Sequence, residues 1–243
     1  EAIAALEIAR AIFPRLSFDM IYARPGQGEA AWRAELRRAL DLAADHLSLY
    51  QLTIEPGTRF STLFGRGEFV LPEGDGAAAL YTATAEEAAR FGLAAYEVSN
   101  YAKPGAESRH NLQYWRYGDY LGIGAGAHQR VLEPAGMRAS RRHRAPEEWL
   151  ARVERDGHAV VEEEVLGPRD RAREALLMGL RLAEGIETAR IEARSGLAFE
   201  DCIDAGTLRD CLEAGYLKQA PGRLSATGEG LIRLDAILPR LVK

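Results

Sequence analysis

The apolar spacing of the first hundred residues switches repeatedly between a helical and a strand period, and that alternation restricts the fold more than any other feature of the chain. EAIAALEIARAIF sets Ile3, Leu6, Ala9, Ile12 and Phe13 along one helical stripe and stops before Pro14. LSFDMIY then puts Leu16, Phe18, Met20 and Tyr22 on one face and Ser17, Asp19 and Ile21 on the other, which predicts a strand carrying one buried-looking acid. After the turn ARPGQG, the segment EAAWRAELRRALDLA returns to a helical stripe of Trp32, Leu36, Leu40 and Ala43. HLSLYQLT is the next strand and closes on the turn EPGT. One more cycle follows, a helix through Leu80, Thr84, Ala88 and Phe91 and then the strand AAYEVSNYA. Alternating helices and strands predict an α/β fold, a parallel sheet covered by helices.

From Lys103 the texture changes. KPGAESRHNLQYWRYGDY reads as a long irregular stretch, too aromatic for disorder, and runs into the glycine-rich LGIGAGAH, read as a strand whose alternate glycines clear one face. After about residue 145 the pattern is helical: Pro146 suits the first turn before EEWLARVER, and Ala172, Leu176, Leu177 and Leu180 share one face. FEDCIDAGTLRDCLEAGYL predicts a helix or helix pair, GRLSATGEG a short strand and turn, and LIRLDAILPRL a last helix. Helices followed by a small hairpin form a winged-helix-like module. The predicted domains are 1–145 and 146–243.

Composition removes several classes. With 31 basic against 36 acidic residues and a net charge of −5, the chain has no general attraction for nucleic acid or an anionic membrane. The module's segment DCIDAGTLRDCLEAGYLKQ is also too poor in basic residues for a winged-helix nucleic-acid binder. No apolar run approaches the roughly 18 residues of a spanning helix. The 2 cysteines, Cys202 and Cys211, are too few for a disulfide framework or a four-ligand zinc site and fit a reducing cytosol. Because the chain opens at Glu1 on a helix without a cap, it is expected to begin inside a longer protein.

Four sets of residues carry possible chemistry. GIGAGA matches the G-x-G-x-x-A dinucleotide pattern at Gly122, Gly124 and Ala127, but no amphipathic helix follows, so close backbone approach is the better reading. HNLQYW gathers His110, Asn111, Tyr114 and Trp115. Either the aromatics anchor a loop or His110 is an axial or proton-transfer group, and His128 at the end of the glycine run balances the two readings. Asp19 needs an ion-pair partner, exposure at a strand end, or a ligand hydroxyl, and Thr53 holds the equivalent place on the next strand. RASRRHR places Arg138, Arg141, Arg142, His143 and Arg144 together, either as a solvated face or to meet carboxylates or phosphates.

Together FDMIYARPGQ, HLSLYQLTIEPGT, YEVSNYAKPG and HNLQYWRYGDYLGIGAGAH resemble, in order, the radical S-adenosylmethionine family of oxygen-independent coproporphyrinogen oxidases, most closely its HemW branch of heme chaperones. The resemblance implies the C-terminal part of a partial (β/α) barrel followed by a mostly helical domain. It implies that Asp19 contacts S-adenosylmethionine, with Thr53 and His128 as further cofactor-lining positions. Ala23 stands where the family usually has glycine and Arg24 where it usually has leucine, which leaves the shape of that turn open. H-N-x-x-Y-W is the pattern of the heme chaperone branch and implies a heme loop of His110, Asn111, Tyr114 and Trp115, with His110 as ligand or contact. Imidazole binds heme iron and flanking aromatics stack on porphyrins. Arg141 and Arg142 would then suit the propionates.

The implied function is a cytoplasmic heme chaperone that passes heme to apoproteins, the full-length protein also holding S-adenosylmethionine and a [4Fe-4S] cluster. The alternative is an oxygen-independent coproporphyrinogen III dehydrogenase. The family's C-x-x-x-C-x-x-C loop is not in this sequence, and Cys202 and Cys211 are wrongly spaced to replace it, so the chain as given is expected neither to hold the cluster nor to run radical chemistry. Homodimerisation is left open by the sequence.

Overall fold

Two parallel strands, each followed by a helix, stand at the centre of the first of two units, Glu1–Ser108 and Arg109–Lys243, into which the computed structural model of residues 1–243 divides. The first unit runs α1 (Ala2–Ile12), β1 (Asp19–Tyr22), α2 (Glu29–Leu42), β2 (His46–Gln51), α3 (Arg59–Gly65), α4 (Asp75–Arg90), β3 (Ala94–Ala95) and β4 (Asn100–Ala102). Its sheet has the order β1-β2-β4-β3. β1 and β2 pair in parallel with Asp19 opposite Ser48 and Tyr22 opposite Gln51.

The third predicted strand is different. AAYEVSNYA breaks into β3 and β4, which fold back on each other, and β4 meets β2 antiparallel. The break falls at Glu97, a side chain with no exposed surface that accepts hydrogen bonds from the Ser99 amide and the Asn100 side chain. Satisfying a buried carboxylate locally turns the backbone out of the ladder.

The predicted stripes of α2 and α4 do form the core. Trp32, Leu36 and Leu40 of α2 and Leu80, Thr84 and Ala88 of α4 are buried with Leu47, Leu49 and Tyr101 of the sheet. The Trp32 indole N–H donates to Thr84 Oγ1 at 2.8 Å, and Thr84 Oγ1 donates to the Leu80 carbonyl at 2.7 Å, so both side-chain donors at this contact are paired. α1 forms where predicted but buries none of its residues.

The second unit runs α5 (Arg109–Trp115), β5 (His128–Glu133), β6 (Gly136–Arg142), α6 (Pro146–Asp156), β7 (Val160–Leu166), α7 (Pro168–Gly179), β8 (Ile186–Glu187), α8 (Thr188–Ser195), α9 (Phe199–Cys202), α10 (Ala205–Glu213), β9 (Leu217–Ala220), β10 (Arg223–Ala226), α11 (Gly228–Ile232) and α12 (Leu234–Leu241). Two antiparallel sheets, β5-β6-β7 and β8-β10-β9, are joined by helices around one core. The change of texture seen near residue 145 falls inside this unit. Beyond it VVEEEVL forms the strand β7, which sequence reading took as part of a helical region; its acids are held by arginines of β6.

Side-chain caps start two helices of the C-terminal part. Asp204 accepts from the Thr207 amide at 2.7 Å and Thr227 from the Gly230 amide at 3.1 Å. The predicted last helix is interrupted at Arg233, giving α11 and α12.

Candidate functional site

HNLQYW is not a loop. It forms α5, and a helix converts the spacing of the motif into two neighbouring i, i+4 pairs, His110 with Tyr114 and Asn111 with Trp115, on strips about 100° apart. The Tyr114 ring stands edge-on to the His110 ring at 4.7 Å and to the Tyr120 ring at 4.4 Å. These three aromatic rings form a stack at whose outer end His110 is exposed.

Both ring nitrogens of His110 have a neighbour. Asn111 Oδ1, which can only accept, lies 3.5 Å from His110 Nδ1, and the Tyr114 hydroxyl lies 3.1 Å from Nε2. In the tautomer protonated at Nδ1, the Nε2 lone pair accepts from Tyr114 and ligates a metal only once that hydroxyl leaves it.

The stack is anchored from below. Tyr120 and Arg130 exchange backbone hydrogen bonds, and Arg130 binds Glu174 through Nε and Nη2 at 3.0 and 2.9 Å. Tyr117, 4% exposed, donates to the same carboxylate at 2.7 Å, and burial pushes its phenol far above the ordinary value. Burial opposes the charge on Glu174, but Arg130 and Tyr117 outweigh it and hold the carboxyl below its usual range.

The glycine run is not a strand either. It is a turn between Tyr120 and β5, and Gly122 is required there because a Cβ would meet the His128 carbonyl oxygen at 2.5 Å. The inference of close backbone approach therefore survives on another geometry. His128 opens β5, is exposed, and faces Arg141 across the strand pair. Arg141 is bound to Glu162, Arg138 to Glu133 and Glu163, and Arg142 to Ser140 and Gln129, so these arginines already have partners in and beside their own sheet. The cluster reads as strand-to-strand pairing.

In the first unit Asp19 begins its strand and is exposed, not buried within it. Thr53 lies beyond the end of β2 and is also exposed; the Leu52 amide still bonds the Tyr22 carbonyl at 2.9 Å. Asp19 and Thr53 are separated by five strand positions, about 16 Å along the sheet, so one ligand reaches both only if it lies extended along the strand ends. Sequence reading passed over Glu97 and Asn100, whose Oε2 and Oδ1 are buried without a partner. An acid and an amide three residues apart, with a serine between them, in a strand-like segment were the available signal.

Cys202 and Cys211 are buried, and desolvation raises both thiols, the reverse of what a thiolate ligand needs. They do not fit an iron–sulfur cluster. No helix is long and apolar enough to cross a membrane.

Residues 166–233 match the HemN C-terminal domain family. Over 99% of its length the chain is 32% identical to the mitochondrial Radical S-adenosyl methionine domain-containing protein 1 of Danio rerio. Over 91% it is 33% identical to the heme chaperone HemW of Escherichia coli strain K12. The chain is thus similar in sequence to the HemW proteins. It spans 56% of the length of each of these relatives. The chain also matches the solved structure of coproporphyrinogen III oxidase (HemN) from Escherichia coli, described as a radical SAM enzyme, with a TM-score of 0.74 over 98% of this chain and 57% of that one. At 19% identity that is a likeness of fold, a mixed α/β layer followed by the helical C-terminal part.

Proposed function

We propose that this chain belongs to a heme chaperone and that α5 is where heme is held. The observation that carries the reading is the exposed His110, whose Nε2 lies 3.1 Å from the Tyr114 hydroxyl and whose ring stands edge-on to the Tyr114 ring at the end of an aromatic cluster. Nε2 coordinates the heme iron once the Tyr114 hydroxyl swings aside, and Tyr114 and Trp115 supply aromatic surface for the porphyrin. A ligand held at one exposed histidine leaves readily, which suits a carrier that delivers heme to apoproteins in the cytoplasm.

Asp19 and Thr53 of the first unit are the residues proposed to contact S-adenosylmethionine. Exposed hydroxyl and carboxylate oxygens at the strand ends fit hydrogen bonding to a nucleoside. When bound with its cluster in a full-length protein, that cofactor supplies radical chemistry; the residues here bind and orient it.

Heme titration followed in the Soret band tests the reading. Saturable binding that is lost in His110→Ala, together with transfer of heme from the loaded chain to an apoprotein, is the expected result. Binding unchanged in His110→Ala, or turnover of coproporphyrinogen III by the full-length protein without heme transfer, overturns it in favour of the dehydrogenase.

A further inference from the structure

A cavity of about 240 Å³ opens at the C-terminal end of α5, and its charges do not balance. Its walls carry Trp115, Arg116, Glu184, Glu187, Arg190 and Arg223. Arg116 binds Glu184 through Nε and Nη2 at 2.8 and 3.0 Å, and Arg223 binds Glu187 and, at 3.0 Å, the Glu184 carbonyl. Both carboxylates are thereby committed. Arg190, on α8, is half-buried; its charge helps to lower the Glu184 carboxyl, but no hydrogen bond or ion pair holds its guanidinium, so three guanidinium groups face two carboxylates.

The floor of the cavity is fixed. Gly185 turns at φ +70°, and any Cβ there would strike the Leu224 carbonyl and Ser225, while Gly179 leaves room only for Ile186. A rigid pocket holding a surplus guanidinium beside an indole selects a planar anion that takes two parallel N–H donors, and a carboxylate has that shape. The volume suits a carboxylate on a short apolar stem and is below that of sites for drug-sized ligands, about 300 Å³ and more.

We propose that Arg190 receives a ligand carboxylate in this pocket. Resting on the heme reading above, the group is a heme propionate, with the edge of the porphyrin against Trp115. The propionate anchor then lies at Arg190 and not in the arginine run of β6, whose members are already paired.

The test compares heme with the same iron porphyrin esterified at both propionates, each delivered in the same detergent, on the unmodified chain, Arg190→Gln and His110→Ala. Arg190→Gln is expected to weaken heme binding about tenfold and to leave binding of the ester unchanged. Equal affinity of Arg190→Gln and the unmodified chain for heme overturns the proposal, as does an equal loss for heme and ester, which would mark Arg190 as structural. A separate titration with sodium propionate follows the Trp115 indole N–H by NMR. A saturable shift abolished by Arg190→Gln supports the pocket even where the chain fails to bind heme, a result that sinks only the heme reading. No shift, with no difference between heme and ester, sinks the pocket itself.

Discussion

Ala23 holds a left-handed backbone conformation, φ +57°, with its side chain 2% exposed, in the turn after β1. The position is shaped for glycine, and alanine occupies it at a cost of about 1–2 kcal/mol. Replacing it with glycine relieves that strain but loses a buried methyl and adds freedom to the unfolded chain, about 0.8 and 0.5–1 kcal/mol. Ala23→Gly is therefore expected to leave stability within about 1 kcal/mol of the original. Ala23→Val, β-branched at positive φ in a filled core, should lose about 2–4 kcal/mol. Urea unfolding of the three proteins checks the pair, and a valine variant as stable as the original would show that the turn can change shape. A second residue-scale consequence concerns the hydroxyl on His110. Because Tyr114 donates to the nitrogen that heme iron requires, Tyr114→Phe should strengthen heme binding about fivefold, the equivalent of a hydrogen bond of about 1 kcal/mol. Weaker binding in a Soret titration would instead make the hydroxyl part of the bound state.

At the scale of elements, α2 and α4 are fastened together by Arg33 with Glu86 and, chiefly, by one buried carboxylate. Glu87 of α4, its side chain 1% exposed, accepts from Arg37 Nε and Nη2 at 2.9 and 2.8 Å, from Arg33 at 3.0 Å and from Arg90 at 3.1 Å. Arg37 is the main cause that lowers its pKa from 4.5 to about 2, against burial, with Arg33 adding to it. A depressed carboxyl stabilises the fold above its unfolded value and loses that contribution as pH falls toward the folded one. Glu87→Gln should accordingly destabilise the chain at pH 7, and the gap between the two proteins should close between about pH 4.5 and pH 2. Unfolding curves at pH 7 and pH 3 measure it; a gap independent of pH would mean that the amide loses packing and not charge.

The same elements show why some of the fold was legible and some was not. α2 and α4 were readable because Trp32, Leu36, Leu80 and Thr84 recur at helical spacing on a single buried face. α5 was hidden because seven residues do not complete a stripe, and its i, i+4 pairs are recognisable only once the segment is known to be helical. β7 was hidden because Glu162, Glu163 and Glu164 look like a solvated run until the arginines of β6 lie beside them. His110 and Trp115 were singled out by residue type alone. Arg190 was passed over because its significance lies in a missing partner, which depends on contacts distant in sequence.

On the scale of the whole molecule, hydrophobic burial is divided between two separate cores. The first unit's core has 11 buried residues around Trp32, and the second unit's has 21 around Leu176. The first unit also leaves Ile3, Ile8, Ile12 and Phe13 at least half exposed along and just after α1, apolar surface that contributes nothing to its own stability. With the smaller core, the first unit should unfold first and the second should follow in a distinct step. Leu36→Ala removes a fully buried side chain from the first core and Leu176→Ala from the second, each at a cost of about 2–5 kcal/mol. Calorimetry should then show two transitions, the earlier one shifted down only by Leu36→Ala and the later one only by Leu176→Ala. A single transition moved equally by either substitution would overturn the two-step order and mean that the two cores melt as one cooperative structure.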